Sequence, residues 1–410
     1  MRREGDAPPS RKQCFKARSI FGTNLAISRQ SWRRREASRG LPRNALHYAT
    51  KTRQGNQRPA SLRTQIFFWQ VVMTIIPLTR CQFLMPFAEL HSEIGGPTAS
   101  LLAKFQLPTS LEEKADHYVP LLPVIRFATA AQEKQGLSEI AFRVAQRLAF
   151  DHLSEAMRVR IRHSPTLLVA LQQACKWSPI EDTNLHLWLE PCGQSVKICS
   201  RLVGTEGISH LEMSHWLQNI FVMHIVRQFA GATWTPRVIA FEANYAPSIE
   251  VQSHWPNTRF MSGQKASWIE VPLQFLSLPN PVDVVPSNLP ETERQPFSND
   301  IVSILKLTLP SYLDEGGPTI IQAAEMVALS VRSLQRKLSL AGLTYSHLLE
   351  RARFNSAIKL LSNPQSKIID VAFASGYADP AHFTRAFRRI SGCTPREFRE
   401  RRRNGASELA

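Results

Sequence analysis

Side chains able to recognise nucleic-acid bases recur in two short segments near the carboxyl end of this 410-residue chain. An arginine can donate two hydrogen bonds to guanine, a glutamine can pair with adenine, and any basic side chain can neutralise a phosphate. Such side chains reach base edges when a helix presents them to the major groove. The candidate DNA-contacting residues are Ser330, Arg332, Ser333, Gln335, Arg336 and Lys337 in the first segment and Ala381, His382, Thr384, Arg385 and Arg388 in the second.

The first segment is predicted to be a helix that follows an apolar helix after a short turn. Thr319 and Gln322 have the spacing of a capping box, in which each side chain satisfies a free amide at a helix start. Ser330 is a good N-cap for the next helix. Leu334 and Leu338 are one helical turn apart and face inward, which leaves the polar and basic side chains on the outer surface.

The second segment repeats this pattern 48 to 49 residues later. Residues 368–373 form the apolar helix, and a turn with glycine follows. Asp379 then caps a helix whose first residue is Pro380, a position that suits both residue types. Phe383 and Phe387 take the places of the two inward leucines. The chain therefore contains two predicted helix-turn-helix units.

A helix over residues 344–361 is predicted to connect the two units. It would span roughly 26 Å at about 1.5 Å per residue. A rod of this length could hold the two basic helices about 34 Å apart, which is one turn of DNA, so that both enter successive major grooves on one side of a duplex.

Two stretches of this region resemble the DNA-binding domain of AraC-type bacterial transcription regulators. They read SVRSLQRKLSLAGLTYSHLLERARFNSAIKLL and VAFASGYADPAHFTRAFRRISGCTPREFR. The sequence departs from the family pattern in two places. Ala328 replaces the glycine usual in the first turn, and Lys367 lies near the second cap position, so that Ser366 or a water molecule is expected to supply that cap.

The middle of the chain is predicted to be an α+β domain. Helices are expected over 83–94, 118–132, 137–150, 166–177 and 208–229; a hairpin is expected from strands 185–189 and 196–199; and further strands are expected over 237–241 and 268–271.

This order, with the stretch GATWTPRVIAFEANYAP, is similar to the effector-binding half of one large branch of AraC-type regulators. The resemblance implies a small-molecule pocket and a dimerisation surface. Five aromatic residues could line such a pocket, although aromatic residues in this kind of pattern are more often ordinary core residues: Trp188, Phe229, Trp234, Phe260 and Trp268. The ligand-binding residues themselves are unknown from sequence.

Charge is unevenly distributed along the chain. Residues 1–70 carry a net charge of +13, residues 71–300 carry −3, and residues 301–410 carry +7. A basic carboxyl-terminal domain suits a surface that faces phosphates, and the near-neutral middle argues against a chain that wraps nucleic acid along its whole length.

The basic first 72 residues are predicted to be disordered, and our hypothesis is that they are not part of the native protein. They lack hydrophobic periodicity. Translation from Met73 is the favoured hypothesis, and the intact mass of the native protein tests it. The apolar stretch near residue 70 has 16 residues between Arg63 and Arg80, interrupted by Pro77, which is short of the roughly 20 needed to cross a bilayer.

Enzymatic and metal-binding readings find little support. The six cysteines lack a paired CxxC spacing and indicate reduced thiols of a cytoplasmic protein. His210 and His215 are five residues apart, whereas a helical metal site needs a spacing of four. We therefore expect no catalytic residues, no metal and no cofactor.

The predicted architecture is an α+β amino-terminal effector domain followed by an all-α DNA-binding domain with two helix-turn-helix motifs. The expected boundaries are a basic extension over 1–72, the effector and dimerisation domain over 73–276, a proline-rich linker over 277–300 that lets the two domains move, and the DNA-binding domain over 301–410. The tail from Arg399 is expected to fray.

The expected function is sequence-specific regulation of promoters in response to a small molecule. The expected partners are double-stranded promoter DNA, a small-molecule effector, a second copy of the chain and RNA polymerase, with no membrane. Two alternatives stay open: a non-specific architectural DNA-binding protein, or a ligand-binding or enzymatic domain attached to a vestigial DNA-binding domain.

Overall fold

The fold is described from a computed structural model that covers residues 76–111, 113–135, 139–282, 298 and 300–407. We call residues 76–282 the amino-terminal domain and residues 300–407 the carboxyl-terminal domain. The predicted extension over 1–72 and most of the predicted linker lie outside the described residues.

The amino-terminal domain mixes helices with two sheets. Its strands are β1 Leu78–Arg80, β2 Tyr118–Pro120, β3 Leu185–Cys192, β4 Ser195–Leu202, β5 Val238–Ala240, β6 Arg259–Met261 and β7 Ser267–Pro272. Its helices are α1 Cys81–Glu93, α2 Thr98–Lys104, α3 Leu121–Gln135, α4 Ile140–Arg147, α5 Glu155–Arg162, α6 Leu167–Trp177, α7 Glu212–Ala230 and α8 Ile249–Ser253.

The larger sheet has the strand order β3-β4-β7-β5-β6, and β1 pairs with β2 in a separate two-stranded sheet. Strands β5 and β6 are parallel, whereas β5 and β7 are antiparallel. Helix α7 packs against α4, α6 and β7, and its Trp216 is fully buried. The hairpin and the α+β class expected from the sequence are both confirmed.

Several predicted helix boundaries were wrong for local reasons. Tyr118 does not begin a helix, because β2 pairs with β1 and α3 starts only at Leu121. The helix predicted to reach residue 150 ends at Arg147, where Leu148 turns to an extended backbone. Helix α7 begins four residues late because His210 has a φ of +63°, outside the helical region.

Three helices of this domain, α2, α5 and α8, had no counterpart in the prediction. Each is short, and Ser154 and Ser248 cap the starts of α5 and α8 through hydrogen bonds to Met157 N and Val251 N. The ordered chain of the domain also continues to Asn280, whose amide side chain donates to the carbonyls of Arg162 and Ser164 at 2.8 and 2.9 Å.

The carboxyl-terminal domain is entirely helical in its described residues. Its helices are α9 Ile301–Thr308, α10 Ile320–Met326, α11 Val331–Leu340, α12 Tyr345–Leu361, α13 Ile368–Ala374, α14 Pro380–Ser391 and α15 Pro395–Ser407, with a 3-10 turn at Leu309–Tyr312. Both predicted helix-turn-helix units are present, as α10–α11 and α13–α14. The tail was expected to fray from Arg399, but α15 continues to Ser407.

Candidate DNA-binding surface and effector-type domain

Helix α11 presents a polar face formed by the first group of predicted DNA-contacting residues. Its inner side is fixed by Leu334 and Leu338, which are 0 % and 1 % exposed. The side chains on the opposite side are exposed, namely Arg332, Gln335, Arg336 and Lys337. Ser330 caps the helix by accepting a hydrogen bond from the Ser333 amide at 3.2 Å, and the two hydroxyls bond to each other at 3.0 Å. Both serines therefore shape the helix start.

The turn before α11 contains a conformation that glycine would adopt more easily. The predicted capping box of α10 is present. The Thr319 hydroxyl accepts a hydrogen bond from the backbone amide of Gln322, and the side-chain oxygen of Gln322 accepts one from the backbone amide of Thr319. Ala328 has a φ of +50°, in the left-handed region. A side chain there costs on the order of 1 kcal/mol relative to glycine.

Helix α14 carries the second group of predicted contacts. Asp379 accepts hydrogen bonds from the amides of Ala381 and His382 at 3.1 and 2.9 Å, and these bonds lower the pKa of its carboxyl group. Phe383 and Phe387 are buried at 0 % and 1 % exposure. The side chains left exposed on the other face are Ala381, His382, Arg385, Arg388 and Arg389.

Two side chains of α14, Thr384 of the second group and the neighbouring Arg389, are engaged within the protein. Thr384 is half-buried, and its hydroxyl donates to the carbonyl of Pro380 at 2.9 Å. Arg389 forms an ion pair with Glu350 of α12. The described side chains supply no cap for α13 at Lys367, so of the two caps expected there, Ser366 or a water molecule, the Ser366 cap was wrong. Asp370, in the first turn of α13, places its negative charge near the positive end of the helix dipole, which is a favourable interaction.

Helix α12 holds the second unit in place. Phe354 contacts Phe387 with ring centroids 5.0 Å apart, and Phe387 contacts Phe398 of α15 at 5.5 Å. The turn between α13 and α14 is packed against the start of the domain, because a Cβ added at Gly376 would lie 2.5 Å from the Leu313 carbonyl oxygen. The second turn is thus anchored in the fold.

A cleft of about 380 Å³ lies between the two helix-turn-helix units. Tyr345, Arg353 and Tyr377 line it, and His382 from the candidate DNA-binding surface reaches its rim. The Arg353 guanidinium donates to the carbonyl of Gly316 at 2.8 Å and lies 5.3 Å from the Tyr377 ring centre. This arginine therefore connects α12 to the entrance of the first unit, a contact across 37 residues that local sequence patterns do not reveal.

The amino-terminal domain contains a small, largely buried apolar cavity with one acidic group. Its volume of about 20 Å³ suits roughly one water molecule. Phe83, Phe87 and Leu217 are among its walls, and Asp182 is its acidic residue. None of the five aromatic residues expected from the sequence lines it. Trp188 and Trp268 instead pack near Cys199 on the large sheet.

Burial controls the ionisation of Asp182. Its side chain accepts a hydrogen bond from Thr79, and its Oδ1 atom is buried without a hydrogen-bond partner among the described residues. Loss of solvent raises the pKa of this carboxyl group to about 7. The neighbouring Arg80 is already paired with Glu181 at 2.8 Å and with Asp116 at 2.6 Å, so it neutralises other carboxylates.

Helix α7 contains a second buried titratable group. His215 is 1 % exposed, and burial lowers the pKa of its imidazole to about 4. His210 lies outside the helix and pairs with Glu212 at 3.1 Å. No group of three or more His, Cys, Asp or Glu residues suited to a metal occurs in the part of the chain that the structure covers.

The two domains are in direct contact. Lys114 forms an ion pair with Asp314 at 2.7 Å, and Ser311 donates to the carbonyl of Tyr118 at 2.6 Å. These partners are about 200 residues apart in the chain, so no sequence signal could have identified them. Among the described helices, none is long and apolar enough to cross a membrane.

Comparison with known proteins gives two family matches that coincide with the two domains. Residues 95–280 match the arabinose-binding domain found at the amino terminus of AraC transcription regulators. Residues 323–401 match a helix-turn-helix domain, and this range includes both basic helices.

Individual relatives agree with these matches. The transcriptional regulator VirS of Mycobacterium tuberculosis is 22 % identical over 349 residues, which cover 80 % of this chain and 98 % of that protein. The transcriptional activator RhaS of Escherichia fergusonii is 41 % identical over 80 residues, or 19 % of this chain and 29 % of that protein. The crystal structure of the regulator CdpR from Pseudomonas aeruginosa aligns over 67 % of this chain and 91 % of that chain with 15 % identity, and its TM-score of 0.31 is too low to add support.

The resemblance expected from the sequence is confirmed by matches that cover both domains, in a family of transcription regulators and not of enzymes. The chain belongs to the AraC family of helix-turn-helix transcription regulators and carries an amino-terminal domain of the arabinose-binding type.

Proposed function

We propose that this regulator binds specific promoter sequences through α11 and α14 and that a small molecule bound to its amino-terminal domain changes this binding. The observation that carries the proposal is the pair of capped basic helices. In each helix two apolar side chains one turn apart are buried, and the opposite face is exposed and positively charged.

The proposed base-reading residues are those near the centre of each exposed face. Arg332 and Arg336 lie opposite Leu334 on α11, and Arg385 and Arg388 lie opposite Phe383 on α14. The helix starts contribute Ala381 and His382, and Gln335 lies at the flank of α11. Ser330, Ser333 and Thr384 are proposed to act mainly by holding the helix starts, because their hydroxyls are engaged there.

Further parts of the proposal concern assembly. We propose a homodimer formed through the domain over 73–276, a linker over 277–300 and a DNA-binding domain over 301–410, with RNA polymerase as the partner at the promoter. The site of action is the cytoplasm, where the bacterial chromosome is found.

The test is binding of the full chain to DNA from the region upstream of its own gene and to scrambled DNA, at two salt concentrations. Replacing Arg336 or Arg385 by alanine is expected to cost about 1–3 kcal/mol on the specific sequence and much less on scrambled DNA, since a bidentate contact to guanine is lost. Arg402→Ala is the matched control, because Arg402 lies on α15 and donates to Ser362 at 2.7 Å. This control is expected to lower the salt dependence and to leave the sequence preference unchanged.

Equal losses on both DNAs for Arg336→Ala and Arg385→Ala would contradict the assignment of these arginines. Affinity that depends steeply on salt but not on sequence would instead support the architectural alternative.

A further inference from the structure

The cleft between the two helix-turn-helix units has the size of a ligand site. Its volume of about 380 Å³ falls in the range of roughly 300–1,000 Å³ that is usual for small-molecule sites. Its lining comes from the entrance of the first unit at residues 316–319, from α12, and from Tyr377 and His382 of the second unit. We call this space the inter-unit cleft. It is large enough for a small organic molecule, whereas the cavity of the amino-terminal domain suits roughly one water molecule.

One stripe of α12 forms the floor of the inter-unit cleft. Tyr345, Leu349 and Arg353 follow one another at intervals of four residues, so they lie on the same side of the helix. The entrance loop packs closely on this stripe, because a Cβ added at Gly317 would lie 3.1 Å from the Leu349 Cδ1 atom. The Tyr345 hydroxyl donates to the Pro318 carbonyl at 2.5 Å. These contacts hold the floor and the first wall in place, which favours a preformed site.

The opposite wall of the cleft is aromatic. The Tyr377 ring packs edge-on against His382 with ring centroids 5.7 Å apart, and the Arg353 guanidinium lies 5.3 Å from the centre of the same tyrosine ring. Ala386 lines the cleft one turn beyond His382 on α14, and its small side chain leaves space there. Aromatic rings prefer offset or edge-on contacts with other rings. The lining therefore suits a planar aromatic molecule.

Arg353 gives the cleft a positive charge that has no ion-pair partner among the described residues. Glu350 also lines the cleft, but its carboxylate is paired with Arg389. Within the described chain the Arg353 guanidinium makes one hydrogen bond, to the Gly316 carbonyl at 2.8 Å, and its Nε atom is buried without a partner. A guanidinium has five N–H donors in a geometry that matches a carboxylate. The cleft therefore offers an anion a positioned cation with unused donors.

The rim of the cleft belongs to the proposed DNA-reading face. His382 lines the cleft and is exposed at the start of α14, and Arg385 is exposed on the next turn of the same helix. An anion held at Arg353 places negative charge beside this helix, and that charge repels DNA phosphates. A molecule in the cleft also occupies the side of His382 that faces α12. Binding of an anion in the cleft and binding of DNA to α14 therefore oppose each other.

We propose that the inter-unit cleft is a second ligand site, that it binds a small aromatic carboxylate through the Arg353 guanidinium and the rings of Tyr345 and Tyr377, and that the bound molecule weakens DNA binding by α14. This site lies within the DNA-binding domain and is separate from the effector site proposed for the amino-terminal domain. Its effect on DNA rests on the proposed function, whereas binding of the carboxylate does not.

The experiment measures binding of naphthoate to the full chain by equilibrium dialysis, without DNA. Naphthamide is the matched neutral probe, because it has nearly the same shape and lacks the charge. Naphthoate is expected to bind at least about tenfold more tightly than naphthamide, since only the carboxylate accepts charge-assisted hydrogen bonds from Arg353.

Two substitutions test the position of the site, each with a matched control on α12. Arg353→Gln removes the charge, and Arg351→Gln does the same at an exposed residue outside the lining. Ser346→Phe fills the cleft from an exposed lining position, and His347→Phe places the same side chain on the next residue, which does not line the cleft. Both cleft variants are expected to lower naphthoate affinity at least about tenfold, and both controls to leave it unchanged.

Ser346→Phe leaves the contacts of Arg353 with Gly316 and Tyr377 intact, so it decides the result if Arg353→Gln fails to fold. A second readout is affinity for upstream DNA at increasing naphthoate concentration. Naphthoate is expected to raise the apparent dissociation constant for DNA in the unaltered chain and in His347→Phe, and to have no effect in Ser346→Phe.

Equal affinity for naphthoate and naphthamide would overturn the anion site, and unchanged naphthoate affinity in the cleft variants would place the binding elsewhere and overturn it as well. Failure of naphthoate to bind also overturns the proposal; if Arg353→Gln then lowers both the DNA affinity and its salt dependence, Arg353 contacts a DNA phosphate instead. Naphthoate that binds in the cleft without weakening DNA binding contradicts the opposition between the two. If the unaltered chain shows no preference for upstream DNA while naphthoate binding follows the expected pattern, the proposed function fails and the ligand site stands.

Discussion

The two glycines Gly376 and Gly342 give a direct test of how the second helix-turn-helix unit is anchored. Both have left-handed backbones, with φ values of +83° and +70°. An alanine Cβ at position 376 would lie 2.5 Å from the Leu313 carbonyl oxygen, whereas one at position 342 would meet nothing within 4 Å. The two substitutions therefore share the conformational penalty and differ only in the clash.

Gly342→Ala is expected to cost about 1–2 kcal/mol, the price of an alanine in the left-handed region. Gly376→Ala carries the same penalty and must also displace a backbone carbonyl, because real Cβ atoms do not approach oxygen so closely. Overpacking of this kind typically costs a further 1–3 kcal/mol or so. The expected loss is thus roughly 2–5 kcal/mol for Gly376→Ala.

The distribution of tryptophan makes the assay selective. All tryptophans precede residue 301, so tryptophan fluorescence reports on the part of the chain before the carboxyl-terminal domain and not on that domain. Urea unfolding followed by hydrogen exchange in α13 and α14 reports on the carboxyl-terminal domain, and tryptophan fluorescence is the internal control. Gly376→Ala is expected to destabilise α13 and α14 far more than Gly342→Ala does. Equal losses for the two variants would refute the anchoring of this turn against Leu313.

Two further predictions concern strain and ionisation. Ala328→Gly is expected to stabilise the carboxyl-terminal domain by up to about 1 kcal/mol, because the left-handed backbone at φ +50° no longer carries a Cβ; a loss of stability in urea unfolding would show that the turn is relaxed with alanine. Asp182 has a folded pKa of about 7, raised from an ordinary value of 3.8, so the stability that its protonated form provides is present below pH 4 and is lost as the pH rises through 7. At about 1.4 kcal/mol per pH unit, Asp182→Asn is expected to gain on the order of a few kcal/mol relative to the unaltered chain between pH 4 and pH 7. His215, whose pKa is lowered to about 4, makes the stability rise with pH, but it contributes equally to the unaltered chain and to the variant. If the free energies of unfolding of the two proteins vary with pH in parallel, Asp182 has an ordinary pKa in the folded protein.

The local patterns around the two basic helices were sufficient to predict their structure. Caps such as Ser330 and Asp379 and inward pairs such as Phe383 and Phe387 act within one or two helical turns, so their effect can be read from neighbouring residues. The choice of exposed arginines follows from the same periodicity. The sequence could likewise predict the basic character of this domain, since charge needs no knowledge of packing.

Elements with weak local signals were harder to predict. The start of α3 was misplaced because Tyr118 belongs to a strand whose partner, Arg80, lies 38 residues earlier in the chain. A three-residue strand has no periodicity of its own, so only its pairing distinguishes it from a helix start. The late start of α7 was missed because the left-handed backbone of His210, with a φ of +63°, has no signature in the local pattern.

The amino-acid sequence by itself determined the two capped basic helices, the order of the domains and the family, because these depend on neighbouring residues and on motifs. Only the tertiary structure decided that Lys114 is buried against Asp314, that Asp182 lines a small buried cavity, and that Gly376 lies against Leu313. For Lys114 and Asp182 the energy comes from removing water around charged or polar groups, and for Gly376 it comes from steric contact with a backbone carbonyl. In all three cases the groups are distant in the chain, so the effect exists only once the chain has folded.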